Sequence, residues 1–205
     1  MPNQVSTAVF WDHFYGRTAA PDEWYLSFDA ELMKYITPEM AHVDDGAVVL
    51  HLGCGGSDIS NILAATLRRH FLLMNMDFSG IILKRLKMNE QSSIAPIEYQ
   101  QMDARYLPYR SNSIDIIIDK GTMDSILSDS TKIDANSFLV KKELHRVLKP
   151  GGKVLSVSTF WTLERERYLT YYGWDLSHKV IPTTPFEYPD QKECYLYIMT
   201  KHYDC

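Results

Sequence analysis

Cysteine is scarce in this chain, and what there is forms no pattern. Cys54, Cys194 and Cys205 are odd in number, widely spaced and without a C-x-x-C pair. That excludes a disulfide framework, gives no zinc spacing and points to a reducing compartment. Long apolar runs are lacking too: none approaches the roughly 18 residues of a membrane span. The opening MPNQVSTAVFWDHFYGR has neither the charged-then-apolar layout of a secretory signal nor the Arg-rich character of a mitochondrial presequence. The expectation is a cytoplasmic protein with no membrane partner. Positive charge is in deficit: 21 Lys and Arg against 26 Asp and Glu leave a net charge of −5. No nucleic-acid partner is expected, because such binders usually carry a basic stripe. His13, His42, His70, His145, His178 and His202 fall at no metal-ligand spacing, so no metal is assigned. There is no internal repeat, low-complexity tract or linker.

What remains is an ordinary globular composition, 45% hydrophobic and 23% charged, over 205 residues. That length suffices for one α/β domain with a sizeable core. Residues 6–16 and 26–36 show apolar faces at helical spacing, and Pro38 is expected to stop the second helix. From residue 47 onward strands and helices alternate. AVVLHLG, FLLMNMD, IEYQQMD, SIDIIID and KVLSVSTF read as five strands. Helices are predicted over 57–69, 79–90 and 134–148, the last stopped by Pro150 and Gly151, with a short one near 163–172. WDLSHKVIP and ECYLYIMTKH read as a closing strand pair. Such alternation predicts a parallel sheet covered on both faces, with ligands at the carboxyl ends of its strands. Those ends carry Gly53 and Gly55, then Asp77, Asp103 and Asp119.

The stretch VVLHLGCGGSDIS (48–60) is a strand, a glycine turn and a helix start. A triphosphate loop needs a lysine after its last glycine, and none follows Gly56. A dinucleotide loop needs a third glycine where this chain has Asp58, and an aspartate there would repel a pyrophosphate at the helix N-terminus. A ligand without phosphate fits better. S-adenosylmethionine (SAM) is such a ligand. It offers Asp77 two ribose hydroxyls, Asp103 an adenine amino group with Met102 against its ring, and Asp119 a cation. Each charge-assisted hydrogen bond of this kind contributes roughly 1.5–3 kcal/mol.

VVLHLGCGGSD, NMDFS, MDAR, IDIIIDKGTMDSIL and RVLKPGGKVL together resemble, in order and spacing, the class I SAM-dependent methyltransferases. With FWDHFYGR and EWY upstream, DKGTMDSIL makes the chain similar to the lysine methyltransferases of elongation factor 1-alpha and citrate synthase. The resemblance implies a Rossmann-like α/β fold. Its sheet is mostly parallel and seven-stranded, with helices on both faces and a closing antiparallel strand. It implies one domain over 1–205, with a helical lid (1–40) on a core (47–205). It implies SAM as cofactor and S-adenosylhomocysteine as product. Gly53, Cys54, Gly55 and Ser57 would wrap the methionine part, and Asp77 and Phe78 would hold the ribose and one adenine face. Met102, Asp103 and Ala104 would read the adenine, Asp119 and Lys120 would sit under the methyl, and Trp24 and Tyr25 would close the site. Many class I enzymes carry an acid where this chain has His51.

Lysine methylation of a protein such as the elongation factor is the implied activity. An amine of pKa about 10.4 must shed a proton, at a cost on the order of 4–5 kcal/mol near neutrality. Asp119 or Asp124 is expected to recruit the ammonium, and aromatic walls to favour its neutral form. Asp124 can equally be a residue of a short helix start, and Lys120 a structural partner of a carboxylate. A small-molecule N/O-methyltransferase and a non-catalytic SAM-binding subunit remain as alternatives.

Overall fold

The computed structural model describes residues 7–17, 23–27, 30–67, 70–89, 97–160 and 162–203. The predicted helix ends at 68–69 and 90, most of the GRTAAP stretch, and Cys205 lie outside these. The chain folds as α1 (Ala8–Tyr15), α2 (Ala30–Glu39), β1 (Ala47–Leu52), α3 (Ile59–Leu67), β2 (Phe71–Asp77), α4 (Gly80–Asn89) and β3 (Ile97–Gln101). It continues as β4 (Ile114–Lys120), α5 (Thr122–Leu127), α6 (Ile133–Val147), β5 (Leu148–Ser158), α7 (Leu163–Leu169), β6 (Trp174–Ile181) and β7 (Cys194–Lys201).

The seven strands lie in the order β3-β2-β1-β4-β5-β7-β6. All neighbours pair in parallel except at β7, which runs antiparallel to both β5 and β6. This is the expected mostly parallel sheet with its antiparallel strand. β1 and β4 are apolar on both faces because both faces are covered. Val49, Ile116 and Ile118 point into the core under α2 and α3. Their neighbours Leu50, Leu52, Ile114 and Ile117 point into the other core, with α5 and α6 residues Met123, Leu127, Val140 and Leu144. Strand order reverses between β1 and β4, and that switch point is where such sheets open a crevice.

Two boundaries differ from expectation. The second helix spans Ala30–Glu39 and takes in Pro38 instead of ending before it. Proline removes one hydrogen bond in the last turn, and the chain then leaves through turns closed by Met40 N to Thr37 O (3.1 Å) and Ala41 N to Pro38 O (3.3 Å). Leu26 belongs to the segment before this helix. α6 ends at Val147, just before KPGG and within one residue of expectation, but the next strand begins at once at Leu148 instead of at Lys153 and takes KPGG in. Pairing jumps from Ile114–Leu148 to Ile116–Lys153, so residues 149–152 form an irregularity in β5. Proline is tolerated at such a bulge. Lys149 anchors it through Asp115 at 2.8 Å. Among the described residues no helix is long and apolar enough to cross a membrane.

Candidate active site

Gly53 follows β1 and Gly121 follows β4, at adjacent strand ends. Both have positive φ, +59° and +82°, which favours glycine. A Cβ on Gly53 would lie 1.9 Å from Thr122 Oγ1, and one on Gly121 would lie 3.2 Å from the Tyr25 ring. Thr122 Oγ1 lies 3.1 Å from Leu52 O and 3.2 Å from Gly53 O, tying the start of α5 to the glycine loop. The two bare backbones form the floor of a cavity. Its walls include Asp77, Phe78, Met102, Asp103 and Ala104 from the ends of β2 and β3, and Trp24 and Tyr25 from the N-terminal segment. Lys120, Glu187 and Tyr188 also line it.

Asp77 is buried and ends β2. Its carboxylate accepts from Gly55 N at 2.9 Å and Ser79 N at 2.8 Å. Burial raises its pKa, against the pull of these amides. The Phe78 amide also stabilises it, and a carboxylate has about four acceptor sites, so capacity remains for a ligand hydroxyl. Asp103 is bound by Arg105, with Nε at 2.9 and 3.1 Å and Nη2 at 2.8 Å. The same guanidinium lies 5.6 Å from the centroid of the Phe78 ring. Much of the acceptor capacity expected to read an adenine is therefore already taken by a neighbour two residues away.

The N-terminal segment is held onto this cavity by Lys120. Its ammonium donates to Trp24 O (2.7 Å), Leu26 O (3.0 Å) and the Glu23 carboxylate. Glu23 in turn accepts from Ser57 Oγ at 2.8 Å. Ser57 and Lys120 thus serve the lid segment. The lysine side chain is only 3% exposed, and burial lowers its pKa against the upward pull of Glu23. Tyr25 sits in a tight turn closed by Leu26 N to Trp24 O, 2.7 Å, with φ +64°. That conformation is rare and costly for a side-chain-bearing residue. It persists because Tyr25 N donates to Glu187 (2.8 and 3.1 Å), Tyr25 O accepts from Phe186 N (2.6 Å), and the hydroxyl donates to Asp124 (3.0 Å).

Cys54, Gly55, Ser57, Asp119 and Asp124 stand behind the wall and do not line the cavity. Asp119 accepts from Ser156 Oγ (2.5 Å), Thr122 N (3.0 Å) and Met123 N (3.1 Å), so it caps α5. Burial pushes it up to about 7. Asp124 takes the Tyr25 hydroxyl, Ser158 Oγ at 3.0 Å and the Arg165 guanidinium at 2.5 Å. Neither carboxylate presents itself to a ligand's ammonium, against the expectation that Asp119 or Asp124 recruits it, because protein partners occupy both. His51 is buried beside Asn75, Nδ1 to Oδ1 3.2 Å. Burial lowers its pKa to about 3, so it is neutral near pH 7. Trp11, Tyr15, Arg105, Glu187 and Tyr188 were not singled out from sequence. Only the aromatic spacing of 10–15 signalled the first two, while Glu187 and Tyr188 carried no signal at all.

Residues 50–156, just over half of the chain, match the methyltransferase domain family. The chain belongs to this family. Among its curated relatives, the methyltransferase is 28% identical over 185 residues to EEF1A lysine methyltransferase 4 of Bos taurus, covering 82% of this chain and 68% of that protein. It is 29% identical over 162 residues to the eEF1A lysine and N-terminal methyltransferase of Mus musculus, covering 76% of this chain but only 22% of that longer protein. Its fold matches phosphoethanolamine N-methyltransferase 2 of Haemonchus contortus, solved with SAM. The TM-score is 0.64 at 14% identity, over 95% of this chain and 60% of that one.

The cavity residues suit SAM. Bare glycine backbone lets Thr122 and the Tyr25 ring pack close at the cavity floor, where a Cβ would collide with them. Asp77 keeps acceptor capacity for a ligand hydroxyl, and Phe78, Met102 and Ala104 offer an apolar slot for a flat ring.

Proposed function

We propose that this methyltransferase methylates a lysine side chain of a protein, with elongation factor 1-alpha as the first candidate. The likeness to two named elongation-factor methyltransferases over three quarters of the chain or more carries this reading. The gathering of Gly53, Asp77, Phe78, Met102, Asp103 and Ala104 from separate strand ends on one cavity supports it. Bound SAM supplies a methyl made electrophilic by its sulfonium. The protein's task is then positioning. A neutral amine must approach in line, its lone pair forming the new bond to carbon while the old bond's electrons stay on sulfur and one proton leaves the nitrogen.

In this reading Gly53, Asp77, Phe78, Met102, Asp103 and Ala104 hold the cofactor, and Trp24 and Tyr25 roof it. Asp119 and Asp124 are positioning residues. Asp119 fixes the start of α5, and Asp124 fixes the hydroxyl of Tyr25. Lys120 and Ser57 keep the lid segment seated. The chain works as one domain, residues 1–40 serving as lid to the 47–205 core, in a reducing and most simply cytoplasmic setting.

The test is incubation with tritiated SAM and a whole-cell lysate, with Asp77→Ala as control. A labelled protein whose methyl maps to lysine, lost in the control, is the expected result. Label confined to small molecules would overturn the protein substrate, and SAM binding without any label would overturn the enzyme.

A further inference from the structure

Among the described residues, three carboxylates line the cavity: Asp77, Asp103 and Glu187. Asp77 belongs to the glycine-loop end, and Asp103 is neutralised by Arg105. Glu187 lies across from them, on the connection between β6 and β7. It accepts from Tyr25 N, and no described cation forms an ion pair with it. Lys120 is near enough to feel its charge, but its ammonium is bound to Glu23 and two carbonyls.

Beside this acid stands an aromatic rim. Tyr188 lines the cavity, and its ring meets Phe160 edge to face with centroids 5.8 Å apart. Both rings are large and yet exposed, 40% and 42%, and Phe186 next to them is 61% exposed. Clustered exposed rings at a cavity mouth mark a binding surface. The rim is also built to stay in place. Phe186 N donates to Tyr25 O, Gln191 bridges to Thr159 O and Glu193 O, and Tyr197 Oη donates to Phe160 O at 2.9 Å.

An acid in the cavity with aromatic faces leading out to solvent suits one kind of guest: an apolar stem that ends in a cation. The apolar rim outside the cavity would be wasted on a small hydrophilic amine and suits a side chain presented by a larger surface. We propose that Glu187, Tyr188 and Phe160 form the acceptor subsite, the carboxylate receiving the lysine ammonium and the rings flanking its methylene stem. This rests on the lysine-methylation reading. It also replaces Asp119 and Asp124, whose acceptor sites are taken, as the groups that meet the substrate's charge. Because Glu187 holds the Tyr25 amide as well, the subsite and the lid share one residue.

The test uses the full chain, recombinant elongation factor 1-alpha as acceptor and tritiated SAM. Glu187→Gln keeps an acceptor for Tyr25 N and removes only the charge. The expected result is a KM for the acceptor protein raised by about tenfold or more, with kcat and the SAM Kd little changed. Tyr188→Ala is expected to raise the same KM. Unchanged KM in both variants, with the wild type active on lysine, would overturn the subsite and leave the lysine reading standing. A SAM Kd that weakens in parallel with KM would also overturn it, since Glu187 would then be only a lid anchor. A wild type that labels no lysine in the factor or in lysate would bring down the lysine reading and the subsite with it.

Discussion

Lys120→Met isolates the latch on which the roof of the cavity depends. The substitution keeps the length of the stem and removes an ammonium that serves Glu23 and the carbonyls of Trp24 and Leu26. Removing one partner of a fully buried ion pair costs about 3–5 kcal/mol. Here the loss is smaller, because the Glu23 side chain is 22% exposed and regains water when the segment lifts. A loss of about 2–3 kcal/mol follows, which is roughly 30- to 150-fold in the ratio of closed to open lid. The penalty falls on the lid before the core, since the apolar residues of β1, β4 and β5 keep all their packing. SAM affinity is therefore expected to drop by up to that factor, with a small change in Tm. Calorimetry reads the affinity. Quenching of tryptophan fluorescence reads the lid, because Trp24 packs on Trp11 and Phe14 with centroids 6.1 and 5.5 Å away. Unaltered SAM affinity with unaltered quenching would refute the reasoning and show that Glu187 and Phe186 hold the turn at Tyr25 without Lys120. A large fall in Tm would refute it differently, by making Lys120 a core residue.

Gly53→Ala should unfold the loop or abolish SAM binding, because the new methyl meets Thr122 Oγ1 at 1.9 Å and an alanine is strained at positive φ by about 1 kcal/mol or more. A thermal melt and a SAM titration both indistinguishable from wild type would contradict this. Tyr25→Phe keeps the ring over Gly121 and loses the hydroxyl bond to Asp124. Turnover is expected to fall by about tenfold with SAM binding retained, and unchanged turnover would remove Asp124 from any positioning role. Asp119 has a folded pKa of about 7, raised by burial from 3.8. Its contribution to stability is thus fully present below the lower value and lost as pH rises through the upper one. Asp119→Asn can still accept from Thr122 N and Met123 N and donate to Ser156, so it should fold and flatten the pH dependence of Tm between these two values. Parallel pH profiles for the two proteins would show that Asp119 does not titrate there.

Much of the site was legible because strand ends are local features. The apolar run that closes on Asp77, the mixed strand before Asp103 and the glycines after LHL lie within a few residues of the elements that position them. The roles of the acids were harder to read. A carboxylate at the end of an apolar strand looks the same whether it faces a ligand or caps the next helix, and Asp119 does the latter. The KPGG stretch marks the end of α6 correctly, but its place inside β5 is not legible for a similar reason. Proline and glycine mark an irregularity in the backbone, but the same residues serve a helix stop and a strand bulge, and Lys149 pairing with Asp115 on β4 selects the bulge.

Hydrophobic period and turn chemistry act over short stretches of chain, so the residues alone specify the alternation of strands and helices, the closing pair and the glycine loop. Which charges are paired and which are available is settled by contacts between distant parts of the chain. Lys120 finds Glu23 across 97 residues, and Glu187 reaches Tyr25 across 162. The acceptor sites of Asp124 are filled by Tyr25, Ser158 and Arg165 from three separate parts of the chain. Whether a polar group is satisfied depends on its neighbours in space, and those neighbours exist only once the sheet has brought the strand ends together.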